Sequence, residues 1–100
     1  MPQHSESLEQ ELLAIQCQLG EPAAFDELVA QWHGPLWQYI RRMVGGNELA
    51  DELLQETWLR ILRGIANLRE PASLVAWMFG IARRVLLNLA LILNDGCCDA

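Results

Sequence analysis

Residues 50–65 read ADELLQETWLRILRGI, and this stretch decides the fold. Its apolar residues recur three or four positions apart, so on a helix they form one continuous stripe. The stripe consists of Ala50, Leu53, Leu54, Thr57, Trp58, Ile61, Leu62 and Ile65. This spacing predicts an amphipathic helix that begins with Asn47 as its N-cap, ends near Arg63 and turns the stripe toward a core.

The opposite face of this helix is polar, with one exception. It carries Glu48, Glu52, Gln55, Glu56, Leu59, Arg60 and Arg63. Leu59 lies near the centre of this face, and an apolar side chain ringed by Gln and Glu has the composition of a docking surface. The alternative is equally simple, because single exposed leucines are common and a Glu56–Arg60 pair is ordinary on a helix surface.

Two further helices are predicted before this stretch. The first runs from about Ser7 to Leu19 and ends at Gly20, and it is indicated by the helical spacing of Leu8, Leu12, Ile15 and Leu19. The second covers 23–32, is interrupted or kinked at His33-Gly34-Pro35, and resumes over 36–44 before the stop at Gly45-Gly46.

A fourth helix follows a loop at 64–72. Ser73 is its predicted N-cap, and the apolar periodicity continues to about Leu93. The chain has 18 leucines against 11 β-branched residues, which favours helix over strand. We therefore expect an all-α fold, a small antiparallel bundle of about four helices. Its expected organisation is an N-terminal helix and linker at 1–22, a helical domain at 23–93 and a frayed tail at 94–100.

Other features limit the class of protein. Cys17, Cys97 and Cys98 form no metal-binding motif with His4 or His33, so we expect no metal, no cofactor and a reducing cytoplasmic location. The polar, acidic start is unlike a signal peptide. Arg83 and Arg84 divide the longest apolar run into pieces about half the roughly 20 residues of a membrane span, so no membrane partner is expected.

The fourth helix also has an outer strip of chemical interest. Trp77, Arg84 and Asn88 align on one side, where an arginine can contact phosphates, a ring can stack on an unpaired base and an amide can read a base edge. The core side is predicted to hold Leu74, Met78, Ile81, Ala82, Val85, Leu89 and Ile92. As the alternative, Trp77 is partly buried at a helix interface, the commoner fate of a lone tryptophan.

Together the two helices resemble region 2 of an extracytoplasmic-function sigma factor, the small type of bacterial RNA polymerase specificity subunit. The resemblance is carried by DELLQETWLR at 51–60 and WMFGIARR at 77–84, within a frame that includes AFDELV at 24–29. It covers about 24–88 and implies the helical fold of that region.

The resemblance implies two partners and a role for each helix. The third helix would dock on the coiled-coil clamp helices of the largest subunit of core RNA polymerase through Asp51, Gln55, Glu56, Leu59 and Arg60. The fourth helix and the loop before it would engage the non-template strand of the promoter minus-ten element through Asn67, Leu68, Arg69, Trp77, Arg83, Arg84 and Asn88. An anti-sigma factor is a further candidate partner. No covalent chemistry is implied, and no catalytic residues are expected.

The chain departs from the family pattern at its C-terminal end. Leu91 stands where an arginine is expected, Asn88 where aspartate is commoner, and Arg84 where asparagine is commoner. The basic continuation and the second helical domain of the family are missing after Asn88. This predicts a product truncated or disrupted after region 2, with weak minus-ten contacts. The alternative function is a protein-interaction module, a competitor for the polymerase clamp or an anti-sigma partner, without productive DNA binding.

The formal charge of −6 is unevenly distributed along the chain. Residues 1–56 contain ten acidic residues and two arginines, whereas 57–84 contain five arginines and one acidic residue. An acidic total therefore does not exclude nucleic acid, because the basic charge is concentrated in the segment expected to face it.

Overall fold

The computed structural model describes the backbone of residues 2–99 and the side chains of residues 8–91. It contains four α-helices, namely α1 Pro2–Gln18, α2 Pro22–Val44, α3 Asn47–Gly64 and α4 Leu74–Asp99. Two short 3-10 turns, Ile65–Asn67 and Pro71–Ser73, connect α3 to α4. Between residues 2 and 99 no strand is present, so the predicted all-α bundle is confirmed.

The packing places α3 between two neighbours. Helix α3 contacts α2 on one side and α4 on the other, while α1 packs on α2, on α4 and on both 3-10 turns. Within the described part of the chain α1 does not contact α3. The shared core contains Leu28, Leu36 and Ile40 of α2, Leu54 and Ile61 of α3, and Leu74, Met78 and Ala82 of α4.

The predicted stripe of α3 is confirmed as its buried face. Ala50, Leu54, Thr57, Trp58, Ile61 and Ile65 are buried, Leu53 is partly buried, and Leu62 remains 42% exposed at the edge of the stripe. The hydroxyl of Thr57 donates to the Leu53 carbonyl at 2.7 Å, so this one buried polar side chain of the stripe is satisfied within its own helix.

The predicted first helix is present, but the apolar residues whose spacing indicated it are not its core face. Leu8, Leu12, Ile15 and Leu19 are exposed, whereas Leu13, Ala14 and Cys17 lie in the core. Helix α1 carries two apolar strips, and polar contacts decide between them. The Trp32 indole N–H donates to the Gln10 side chain at 3.1 Å, and the Gln18 amide donates to backbone carbonyls of the first 3-10 turn. Gln10, Ala14 and Gln18 lie on one side of the helix, because each is four residues from the next. These bonds therefore turn the less apolar strip of α1, which includes Ala14, toward the core.

Burial also changes the chemistry of Cys17. The thiol is enclosed by the core, and desolvation raises its pKa above the ordinary value of 9.0. Burial disfavours the charged thiolate, so Cys17 is a neutral packing residue at neutral pH and a poor nucleophile.

The interruption predicted for the second helix is absent, because α2 is continuous through Pro35. Proline inside a helix costs about 3 kcal/mol, since it removes one backbone hydrogen bond and crowds the preceding turn. Burying a leucine or isoleucine stabilises by about 1.5–3 kcal/mol, so Leu36 and Ile40 together offset that cost. The stop at Gly45 is confirmed, because Gly45 adopts φ 77° and donates its N–H to the Arg41 carbonyl at 2.9 Å.

The N-cap predicted for α3 is wrong by one residue, whereas Ser73 directly precedes Leu74, the first residue of α4, as predicted. Gly46 is the N-cap of α3, and Asn47 instead accepts a 2.6 Å hydrogen bond from the Arg41 guanidinium. Ser73 closes the second 3-10 turn, where its hydroxyl contacts the Glu70 carboxylate at 3.3 Å. The backbone of α4 continues to Asp99 rather than ending near residue 93, so the predicted frayed tail is helical over 94–99.

The inward face predicted for α4 is confirmed where its side chains are described. Leu74, Met78, Ile81, Ala82 and Val85 are buried and Leu89 is partly buried, while the side chain of Ile92 lies outside the described residues. By length and composition alone, Pro71–Leu91 could cross a membrane. The same test is passed by core helices, and Leu74, Met78 and Ala82 serve here in the core.

Leu13 and Leu12 provide a direct test of how α1 is rotated. We expect Leu13→Ala to lower the free energy of unfolding by about 2–5 kcal/mol, because it leaves a cavity in the core. Leu12→Ala should change it by less than about 0.5 kcal/mol, because Leu12 is 57% exposed. Urea denaturation of both variants measures the difference, and a larger loss for Leu12→Ala would contradict the packing described above.

Candidate functional site

The outer face of α3 presents the residues predicted to dock. Asp51, Gln55 and Leu59 are exposed, and Glu56 and Arg60 are partly exposed. Leu59 is 44% exposed, so an apolar side chain sits among polar ones on a helix whose other face is fixed in the core. The structure brings these five residues together on one face, which is what a docking surface requires.

One ion pair stands on this face. The Arg60 Nε lies 2.9 Å from the Glu56 carboxylate, one helical turn away. Both side chains are well exposed, and such a pair contributes about 0.3–0.5 kcal/mol. This contribution is below the thermal energy of about 0.6 kcal/mol, so the pair favours but does not fix the positions of the two charged groups beside Leu59.

Asp51 is held by Trp37, which was not predicted to belong to this site. The indole N–H of Trp37, on α2, donates to the Asp51 carboxylate at 2.7 Å. No sequence signal links these residues, which are 14 positions apart in different helices. The bond leaves the second carboxylate oxygen of Asp51 able to accept from another molecule.

A recess beside this face lies between α2 and α3. It has a volume of about 430 Å³ and is lined by His33, Asp51, Leu54, Gln55 and Trp58. The buried indole N–H of Trp58 has no acceptor among the described residues. The recess therefore combines an apolar floor with Asp51 and Gln55 at its side, a form that accepts a protruding side chain.

The loop before α4 divides into inward and outward residues. Ile65 is buried and Leu68 is partly buried against the core, whereas Asn67 and Arg69 are exposed. Of the three loop residues predicted to contact DNA, Asn67 and Arg69 are available to a partner. Leu68 serves mainly to anchor the loop.

Trp77 is less exposed than its predicted place on the outer strip of α4 implies. It is partly buried and packs on the core, in agreement with the alternative considered for it. Its ring passes over Gly64, the last residue of α3, where a Cβ atom would lie 3.0 Å from the ring carbon Cζ2. The absence of a side chain at Gly64 therefore allows the ring to approach the backbone of α3 closely.

The remaining predicted DNA contacts lie on the exposed side of α4. Arg83, Arg84 and Asn88 are all exposed, and neither arginine has an acidic partner across side chains 8–91. Arg84 and Asn88 are one turn apart on the strip of Trp77. Arg83 is turned about 100° from Arg84 and lines a separate apolar groove with Tyr39, Met43, Leu86 and Leu87.

The structure thus groups the predicted DNA contacts only in part. Trp77, Arg84 and Asn88 share a strip, and the exposed Asn67 and Arg69 belong to the loop that leads into the same helix. Arg83 is separated from them by its position in the groove.

Comparison with known proteins gives the class of this domain. The Sigma-70 region 2 family matches residues 28–91, which is more than half of the chain. The chain therefore belongs to the sigma-70 region 2 family. No solved structure matches it significantly.

Its relatives include proteins named as extracytoplasmic-function (ECF) sigma factors. It is 35% identical over 77 residues to the ECF RNA polymerase sigma factor BldN of Streptomyces coelicolor, covering 76% of this chain and 29% of that protein. It is 30% identical over 73 residues to the ECF RNA polymerase sigma factor SigE of Mycolicibacterium smegmatis, covering 70% and 28%. The RNA polymerase sigma factor YlaC of Bacillus subtilis is 28% identical over 65 residues, covering 65% and 38%. The chain spans less than two fifths of these relatives.

Two glycines test the contact between Trp77 and α3. We expect Gly64→Ala to be less favourable for stability than Gly80→Ala by about 1–3 kcal/mol, because the Trp77 ring must move by a few tenths of an ångström to admit the new methyl group. Gly80→Ala is the matched control, since Gly80 lies inside α4 with nothing within 4 Å of an added Cβ. It should stabilise by about 0.5–1 kcal/mol through helix propensity. Urea denaturation measures the difference between the two variants, and equal effects of the two substitutions would contradict the close contact.

Proposed function

We propose that this domain docks on the clamp helices of the largest subunit of core RNA polymerase through α3. It then contacts the non-template strand of the promoter minus-ten element through the loop 67–69 and α4. In this proposal it acts in the cytoplasm as an initiation factor that needs no cofactor and catalyses no reaction of its own. Its membership of the sigma-70 region 2 family and its sigma-factor relatives support this role.

The observation that carries the docking proposal is the exposure of Leu59. Burial of Leu54, Trp58 and Ile61 fixes the rotation of α3, and the same rotation turns Leu59 outward. Apolar anchors surrounded by polar residues contribute most of the binding energy in many interfaces. Acidic Asp51 and Glu56 beside it favour a partner surface with basic residues.

The DNA proposal is supported by charge and accessibility. Arg69 and Arg84 are exposed cations in the basic segment 57–84, and Asn88 adds an exposed amide on the same strip as Arg84. Trp77 is only partly buried, and an indole face left accessible there can stack on an unpaired base. Affinity should be modest, because the acidic first half of the chain opposes the approach of phosphates.

A second candidate function is supported by the groove at the end of α4. The groove has a volume of about 440 Å³ and lies beside the exposed leucines Leu87 and Leu91. An apolar surface of this kind favours protein association. The domain would then act as a competitor for the polymerase clamp or as the target of an anti-sigma factor, without productive DNA contact.

The docking proposal predicts a selective effect of charge at position 59. Leu59→Asp should weaken retention of the domain on immobilised core polymerase by at least about tenfold, because it places a carboxylate at the apolar centre of the contact. Leu12→Asp is the matched control, since Leu12 is exposed on α1, which does not contact α3 within the described residues. Docking through this face would be refuted if the wild-type domain were not retained on core polymerase, or if Leu59→Asp were retained as well as wild type.

The DNA proposal predicts a salt dependence that one arginine changes. Binding of a single-stranded minus-ten oligonucleotide, followed by fluorescence anisotropy, should weaken as salt rises because phosphate contacts release counterions. Arg84→Ala should lower the slope of log K against log salt by about 0.7, the value for one phosphate contact on a single strand. Arg42→Ala, which removes an exposed charge from α2, should change the slope less. Retention on polymerase without DNA binding at low salt would favour the second candidate function.

A further inference from the structure

We infer that Gln18, at the end of α1, is a positioning residue that sets the conformation of the loop 65–69 for the unpaired DNA strand. The inference rests on the proposed DNA contact, and it gives α1 a part in that contact although α1 precedes the segment matched by the family.

Gln18 holds both ends of the first 3-10 turn. Its amide nitrogen donates to the carbonyl of Ile65 at 3.1 Å and to the carbonyl of Leu68 at 2.8 Å. A glutamine amide has two N–H hydrogens, so one side chain can satisfy both carbonyls. The backbone closes the same turn, because the N–H of Leu68 donates to the Ile65 carbonyl at 3.1 Å.

The carbonyl of Leu68 depends on Gln18 more than the carbonyl of Ile65 does. The Ile65 carbonyl also accepts the Leu68 N–H, whereas Gln18 is the one donor to the Leu68 carbonyl among the described residues. A partly buried carbonyl without a donor is costly. Ile65 is buried and Leu68 is partly buried, so water does not readily replace Gln18. Loss of the amide would release the turn from α1.

Fixing the two inward residues of this loop also fixes the direction of its exposed residues. Ile65 and Leu68 are tied to Gln18, and Asn67 and Arg69, which alternate with them, are exposed. A loop already fixed in its bound conformation loses less conformational entropy when it binds a ligand. Gln18 should therefore raise affinity for DNA without touching it.

Helix α1 supports this role by its position. It packs on both 3-10 turns, and Leu13, Ala14 and Cys17 anchor it in the core up to the residue before Gln18. In the described chain it makes no contact with α3, so a change at Gln18 should leave the docking face of Leu59 intact. This separation makes the inference testable apart from polymerase binding.

The test compares Gln18→Met with Gln16→Met. Methionine has nearly the shape of glutamine but no donor, and Gln16 is a partly buried residue of the same helix whose side chain makes no hydrogen bond among the described residues. We expect Gln18→Met to weaken binding of the single-stranded minus-ten oligonucleotide by about fivefold to tenfold, because the released loop must then be ordered on binding, at roughly the backbone entropy cost of one residue. Hydrogen exchange of the Leu68 and Arg69 amides should accelerate. Retention on core polymerase should not change, and Gln16→Met should behave as wild type.

A Gln18→Lys variant separates the donor from the shape of the side chain. Lysine keeps N–H donors, so protection of the Leu68 amide should recover relative to Gln18→Met, in a measurement made without DNA. Equal exchange in the lysine and methionine variants would overturn the inference. Reduced polymerase retention of Gln18→Met would also overturn it, because the effect would then be general loss of structure.

The outcomes distinguish this inference from the proposed function. If wild type does not bind the oligonucleotide, the DNA proposal fails and the inference fails with it. If wild type binds and Gln18→Met binds equally well, the inference alone is overturned. Faster loop exchange without loss of DNA affinity also overturns it, since Gln18 would then stabilise the loop without serving the contact.

Discussion

Burial of the apolar stripe of α3 between α2 and α4 is the constraint on which the rest of the structure depends. With Leu54 and Ile61 almost fully enclosed, α3 cannot rotate without opening the core. The exposed face is therefore decided by the buried one, and Leu59 is presented at a fixed angle. Because α3 lies between α2 and α4, it also contacts both helices through specific residues. Trp37 of α2 donates a hydrogen bond to Asp51, and the ring of Trp77 in α4 packs on Gly64.

How well the sequence predicted each helix depended on how many apolar strips the helix carries. Helix α3 has a single strip, so periodicity determines its orientation and the exposure of Leu59 could be predicted. Helix α1 has two strips, and the more apolar one, with Leu8 and Leu12, lies outside. The choice between them depends on Gln10 and Gln18, whose partners are 22 and 47 residues away in the chain. Local spacing contains no information about such pairs.

In the candidate sites too, features set by local spacing could be predicted and features set by tertiary contacts could not. Exposure of Arg84, Asn88 and Asn67 could be read from helical geometry and from the loop. The pairing of Trp37 with Asp51 and the contact of Trp77 with Gly64 arise from helices meeting in space. The interruption predicted at Pro35 is absent for a related reason, since the local cost of proline is outweighed by burial of Leu36 and Ile40 in the tertiary structure. The roles of the site residues stay predictions that binding experiments decide.

The contact between Trp77 and Gly64 has an evolutionary consequence. The two positions lie on different helices, yet a Cβ atom at position 64 would lie only 3.0 Å from the ring of residue 77. A side chain larger than alanine at position 64 would therefore press further on the ring, and a smaller residue at position 77 would relieve that pressure. The two positions should change together among relatives, so that substitutions acceptable in one background are harmful in another.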